Sequence, residues 1–111
     1  MTAKGRPSPA EFHVLLALVD GAKHGHAIKV DVADRTDGSV VMGPGTLYGA
    51  IKRLLRSKWI EEVPPTLADD DDDGRKRFYA ISETGLAVAR EEAERMTVLL
   101  GIVSDKALLG G

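Results

Sequence analysis

Apolar positions along this chain fall into four stretches of helical spacing, one short apolar run and one pair of extended runs. Phe12, Leu15, Leu16 and Val19 recur at the helical interval behind Ser8-Pro9-Ala10-Glu11. In that opening Ser8 reads as an N-cap, Pro9 as the first helical residue and Glu11 as the partner completing a capping box. Gly21 reads as the stop. A second helix is expected from about Gly25 to Arg35, with Ile28 and Val32 inward, before a turn at Asp37-Gly38. Ser39-Val40-Val41-Met42 has the length and apolarity of a small strand, and Gly43-Pro44-Gly45 breaks the chain after it.

The third helix starts near Thr46 and carries the sharpest contrast. Leu47, Ile51, Leu54 and Leu55 form one apolar stripe, and at 100° per residue the opposite side holds Gly49, Lys52, Arg53 and Arg56. Ile60-Glu61-Glu62-Val63 and Arg77-Phe78-Tyr79-Ala80-Ile81 then read as an antiparallel hairpin with a long polar tip. Ser82 caps a last helix reaching about Ser104. In it Leu86, Ala89, Ala93, Met96, Leu100 and Val103 step by 3, 4, 3, 4, 3, the seam of a coiled coil. That seam packs either on the chain's own core or on a second copy. The three earlier helices already supply a core, which favours the second copy.

The charge total, −2 over 111 residues, hides segregation. Gly43 to Lys58 holds Lys52, Arg53, Arg56 and Lys58 with no acid, Arg75-Lys76-Arg77 is a second basic knot, and Asp69 to Asp73 is wholly acidic. Local patches of this kind govern encounters with a polyanion more than net charge does. The absence of cysteine excludes disulfides, thiolate metal sites and cysteine nucleophiles. No run approaches the ~18 apolar residues of a membrane span, and Met1 to Ser8 lacks a signal-peptide core. A cytoplasmic protein without membrane association is therefore expected. At this size a domain buries only about 65% of its unfolded surface, so a partner subunit would help.

Three helices, a hairpin and a trailing helix follow the winged helix-turn-helix order, an α+β, mainly α fold with a C-terminal dimerisation helix. Residues 1–85 are expected to form the DNA-binding domain with an N-terminal arm, and residues 86–111 the dimerisation helix and tail. His24-Gly25, Gly45-Thr46-Leu47-Tyr48, Leu54 with Ile60, and Arg77-Phe78-Tyr79-Ala80-Ile81-Ser82-Glu83-Thr84-Gly85 occur in the order and spacing of one family. Over roughly Leu15 to Leu86 the chain resembles the PadR-type bacterial transcriptional regulators, in their short branch with a single C-terminal helix. The resemblance implies a homodimer on an inverted-repeat operator, usually a repressor, often released by a small hydrophobic effector. It also implies that the third helix enters the major groove and the hairpin is the wing. This chain departs from the pattern at His26, where tyrosine is common, at Gly49, where proline is, and at Lys58, where glycine is. Without that glycine the chain reversal needs a less comfortable backbone. The last helix also lacks the aromatic residue with which drug-binding members stack planar compounds.

The expected DNA contacts are Thr46, Tyr48, Lys52, Arg53 and Arg56 on the third helix, with Arg75 and Arg77 on the wing. Phosphate contacts give affinity and base contacts specificity. Tyr48, on the helix flank, touches backbone or covers core. Trp59 reads as core. The expected dimer contacts are Leu86, Ala89, Ala93, Met96, Leu100 and Val103, and the expected effector lining is Phe12, Leu16, Met96, Leu99 and Leu100.

Other chemistries fit poorly. Asp69, Asp71, Asp73 and Gly74 imitate a calcium loop, but its twelfth position is Ala80. Gly43, Gly45 and Gly49 are spaced GxGxxxG, unlike a dinucleotide loop. His13, His24 and His26 make no metal pattern, and no nucleophile has a credible base, so neither an enzyme nor a cofactor is expected. The alternative reading is a winged-helix protein-interaction module whose acidic tip docks a basic partner, with no operator.

Overall fold

Capping chemistry sets where each helix begins. In the computed structural model, which describes residues 5–65 and 76–108, α1 runs Pro9–Leu18. The Ser8 hydroxyl accepts from the Glu11 amide at 3.1 Å and the Glu11 carboxylate accepts from the Ser8 amide at 2.8 Å, so both arms of the expected capping box form. The buried face is Val14, Leu15, Ala17 and Leu18, leaving Phe12 and Leu16 half-buried and Val19 exposed. The expected stripe was thus rotated, because α1 is apolar almost all round and periodicity alone cannot orient such a helix. It also ends three residues before Gly21.

Lys23–His24 form a two-residue strand β1, and α2 follows as Gly25–Arg35 with His24 as N-cap. Ile28 and Val32 face the core as expected. The Asp37-Gly38 turn is left-handed at both residues, with φ 53° and 79°. Ser39–Met42 is not a strand. Met42 reaches the core, Val41 points outward, and the Thr36 hydroxyl accepts from the Val40 amide at 3.1 Å. The segment is a tether, and β1 fills the edge of the sheet beside β3.

The third helix, α3, spans Pro44–Ser57 and buries Leu47, Ala50, Ile51 and Leu54, with Leu55 half-buried. It closes on Lys58, whose φ of 65° is left-handed. The Lys58 amide donates to the Leu55 carbonyl at 3.1 Å and the Trp59 amide to the Leu54 carbonyl at 3.0 Å, the Schellman pattern usually built on glycine. Trp59 then turns into the core, as expected.

Strands β2 (Ile60–Val63) and β3 (Phe78–Ile81) pair antiparallel, Ile60 opposite Ile81 and Val63 opposite Phe78. β1 adds to the other edge of β3, giving the order β1-β3-β2. The last helix, α4, spans Glu83–Asp105, about 35 Å long. The Ser82 hydroxyl accepts from the Gly85 amide and donates to the Lys58 carbonyl at 2.8 Å, locking α4 to the end of α3. Gly85 lies so close to the Trp59 carbonyl that a β-carbon there would collide with it. Among the described residues only the first half of α4 is covered: its Val88, Ala89 and Glu92 are buried where it packs on α1 and β3. No helix among the described residues is long and apolar enough to cross a membrane.

Candidate nucleic-acid interface

The core stripe of α3 fixes what the helix shows to solvent. Opposite Leu47, Ile51 and Leu54 stand Thr46, Lys52, Arg53 and Arg56, all exposed. Lys52 and Arg56 make no hydrogen bond or ion pair among the described residues. Arg53 is tied down: its Nε donates to Glu11 Oε2 at 2.7 Å, so the carboxylate that closes the capping box of α1 also holds an arginine of α3. Burial pushes the Glu11 carboxyl up, but hydrogen bonds from the Ser8 amide and from Arg53 outweigh it and leave it below the ordinary range. The expected face is therefore two outward cations with a third tethered beside them.

Tyr48 covers the start of α2 and still faces solvent. Its ring lies over Gly25, where a β-carbon would strike the hydroxyl, yet half of the residue stays exposed. It helps to line a cleft of about 310 Å³ with His24, His26, Lys76, Arg77 and Tyr79. Arg77 is exposed and pairs with Glu62 of β2 at 3.1 Å. Burial first, and Glu62 second, raise the Tyr79 hydroxyl above its usual range. Arg75 and the Asp69 to Asp73 run lie outside the described residues.

The seam of α4 divides. Leu86 is half-buried and Ala89 is buried in the chain's own core, whereas Ala93, Met96 and Leu100 are exposed and Val103 is half-buried. Beside them Leu99 and Ile102 are 61% and 46% exposed, an apolar surface with nothing among the described residues to cover it. Of the expected effector lining, Phe12 and Met96 meet with His13 and Glu92 in a depression of about 610 Å³. Leu99 lines a neighbouring one of about 510 Å³, and Leu16 and Leu100 line neither.

Long-range pairs escaped the sequence reading. Arg6 of the N-terminal arm clasps Glu92 of α4 through two hydrogen bonds of 3.2 and 3.1 Å, and Arg95 completes the cluster at 2.7 Å. Arg6 foremost, then Arg95, hold the buried Glu92 carboxyl below the usual range against its burial. Glu11 was legible as a cap, but nothing in the sequence connects it with Arg53, which lies 42 residues away.

Residues 14–91 match the model of the transcriptional regulator PadR-like family, close to the span that the sequence motifs covered. An uncharacterized 37.1 kDa protein in transposon Tn4556 of Streptomyces fradiae is 32% identical over 93% of this chain, which spans 27% of that relative's length. Protein X of Lysinibacillus sphaericus is 27% identical, with 70% of this chain and 69% of the relative covered. Solved structures of the same fold include the following two. A PadR family transcription regulator from Clostridium difficile superposes with a TM-score of 0.75 at 17% identity, over 90% of this chain and 99% of that one. A transcriptional regulator from Clostridium thermocellum superposes at 0.73 and 21% identity, over 86% and 87% of the two chains.

Proposed function

Because the chain belongs to the PadR-like family of transcriptional regulators, not enzymes, we propose that it is a cytoplasmic repressor that binds an inverted-repeat operator in double-stranded DNA as a homodimer. One observation carries the reading: α3 buries one stripe and turns Lys52 and Arg56 outward without partners among the described residues. Thr46 and the amides of the first turn of α3 hold a phosphate, since a helix start is partly positive. Lys52, Arg53 and Arg56 face the major groove, where arginine on guanine is the commonest specific contact. Tyr48, Arg75 and Arg77 add backbone contacts from the flank and the wing.

In this reading residues 1–85 bind DNA, and residues 86–111 carry the pairing surface and tail. Two copies of α4 pair through Leu86, Ala93, Met96, Leu100 and Val103, with Ala89 at their base, setting the recognition helices about one helical turn apart. A small hydrophobic effector enters where α4 passes α1, against Phe12 and Met96. Leu16 lies one turn along α1, and Leu99 and Leu100 are brought in by the partner. A ligand that prefers one spacing of the two wings shifts the DNA-competent population.

The test is removal of charge. The double variant Lys52→Ala, Arg56→Ala should bind a duplex more weakly, with a salt slope shallower by about 0.9 for each phosphate that is no longer neutralised. Unchanged affinity and slope would overturn the reading and move the weight to a protein partner.

A further inference from the structure

The outward face of α3 leaves the cleft beneath Tyr48 unexplained. Its walls come from three places: His24 and His26 at the start of α2, Tyr48 of α3, and Lys76, Arg77 and Tyr79 at the base of the wing. Each of these six side chains carries a hydrogen-bond donor or a positive charge, a lining that suits an anion better than an apolar guest. Tyr48 and Lys52 are four residues apart on α3 and so share one side of the helix. An anion in the cleft and another at Lys52 would therefore follow one strand of a duplex.

The two imidazoles differ in freedom. They stack with centroids 6.5 Å apart, and His24 packs edge-on against Phe78 at 5.3 Å. His24 commits its Nδ1 to the Ala27 amide at 3.2 Å, as the cap of α2. His26 is exposed and has no hydrogen bond or ion pair among the described residues. It can gain a proton without losing a cap. The charged and titratable groups around it are His24 from β1, Tyr48 from α3, and Lys76, Arg77 and Tyr79 from the wing. Glu62 of β2, opposite Tyr79 in the sheet, is the acid at the rim: it pairs with Arg77 and bears on the Tyr79 hydroxyl.

We propose that this cleft seats a backbone phosphate of bound DNA and that His26 takes up a proton there, so that affinity rises as pH falls through the imidazole range. The inference rests on the DNA-binding reading above and adds a contact on the wing side of α3. An imidazole titrates near ~6.5. A protonated His26 on the phosphate makes the duplex bind about eightfold tighter at pH 5.5 than at pH 8.5.

The test is an anisotropy titration with a random-sequence duplex of about two helical turns, at low salt from pH 5.5 to 8.5. It compares the wild type, His26→Asn and Lys52→Ala, alongside an NMR titration of the three imidazoles with and without the duplex. The wild type should gain about eightfold, and His26→Asn should lose most of that response. Lys52→Ala should bind more weakly yet keep the response. The duplex should raise the His26 midpoint and leave that of His13, on α1, where it was. A response that survives in His26→Asn, or a His26 midpoint unmoved by a duplex that binds, would overturn the cleft alone. A wild type that binds no duplex at any pH would overturn the DNA-binding reading, and the cleft with it.

Discussion

Lys58 closes α3 at φ 65° and ψ 27°, where a β-carbon crowds the following carbonyl. A non-glycine residue there costs roughly 1–2 kcal/mol. Glycine removes that cost but gives up about 0.5–1 kcal/mol of additional chain entropy on folding. The two hydrogen bonds of the motif are backbone to backbone and survive the change. The lysine side chain is exposed and makes no hydrogen bond or ion pair among the described residues that the change would remove. Lys58→Gly should therefore stabilise the protein by about 0.5–1 kcal/mol, a melting point about 2–5 °C higher for a domain of this size. Lys58→Ala, which keeps the β-carbon, should melt with the wild type. Thermal unfolding followed by circular dichroism, at one protein concentration for every variant, reads both. A Lys58→Gly variant that melts at or below the wild type would show that the left-handed lysine carries no such cost.

Three further outcomes follow from the packing. Gly85→Ala drives a β-carbon into the Trp59 carbonyl, backbone that cannot swing aside, and should cost about 1–3 kcal/mol or more in urea unfolding. Glu11 and Glu92 both titrate below the ordinary carboxylate value in the folded chain, so their contribution is complete above that value and is lost as pH falls through the lowered ones. Melting points should therefore drop below about pH 4.5, and the drop should be smaller in Glu92→Gln, a difference that thermal scans across acid pH would record. Leu99→Glu with Leu100→Glu places charge on the exposed half of α4 and should weaken self-association at least about tenfold by sedimentation, since burying either leucine contributes about 1–2 kcal/mol.

What was legible in the sequence is what local chemistry determines. Ser8, Pro9 and Glu11 announced α1, Ser82 announced α4, and Asp37-Gly38 announced its turn, because each acts on backbone within a few residues. The α3 stripe was legible because polar and apolar residues alternate there at one period. The same method misjudged α1, whose apolar residues surround the helix, so that only its neighbours select Val14 and Leu18 over Phe12 and Val19. It gave Ser39–Met42 a strand that β1 supplies instead, since two residues, Lys23 and His24, are too few to show a pattern. Arg53 looked like a free cation because its carboxylate, Glu11, is distant in sequence and comes near only in the fold, and the same distance hid the pairing of Arg6 with Glu92. Lys58 was the reverse case: a missing glycine pointed to strain, and the left-handed backbone is there.

We propose that this chain reads DNA through α3. The most direct test is fluorescence anisotropy with the region upstream of its own gene against a scrambled duplex, over a salt series. Preferential binding to the upstream region, with affinity falling steeply as salt rises, is the expected result. Equal binding to both duplexes would contradict the operator. Absent or salt-insensitive binding by folded protein would contradict the claim itself.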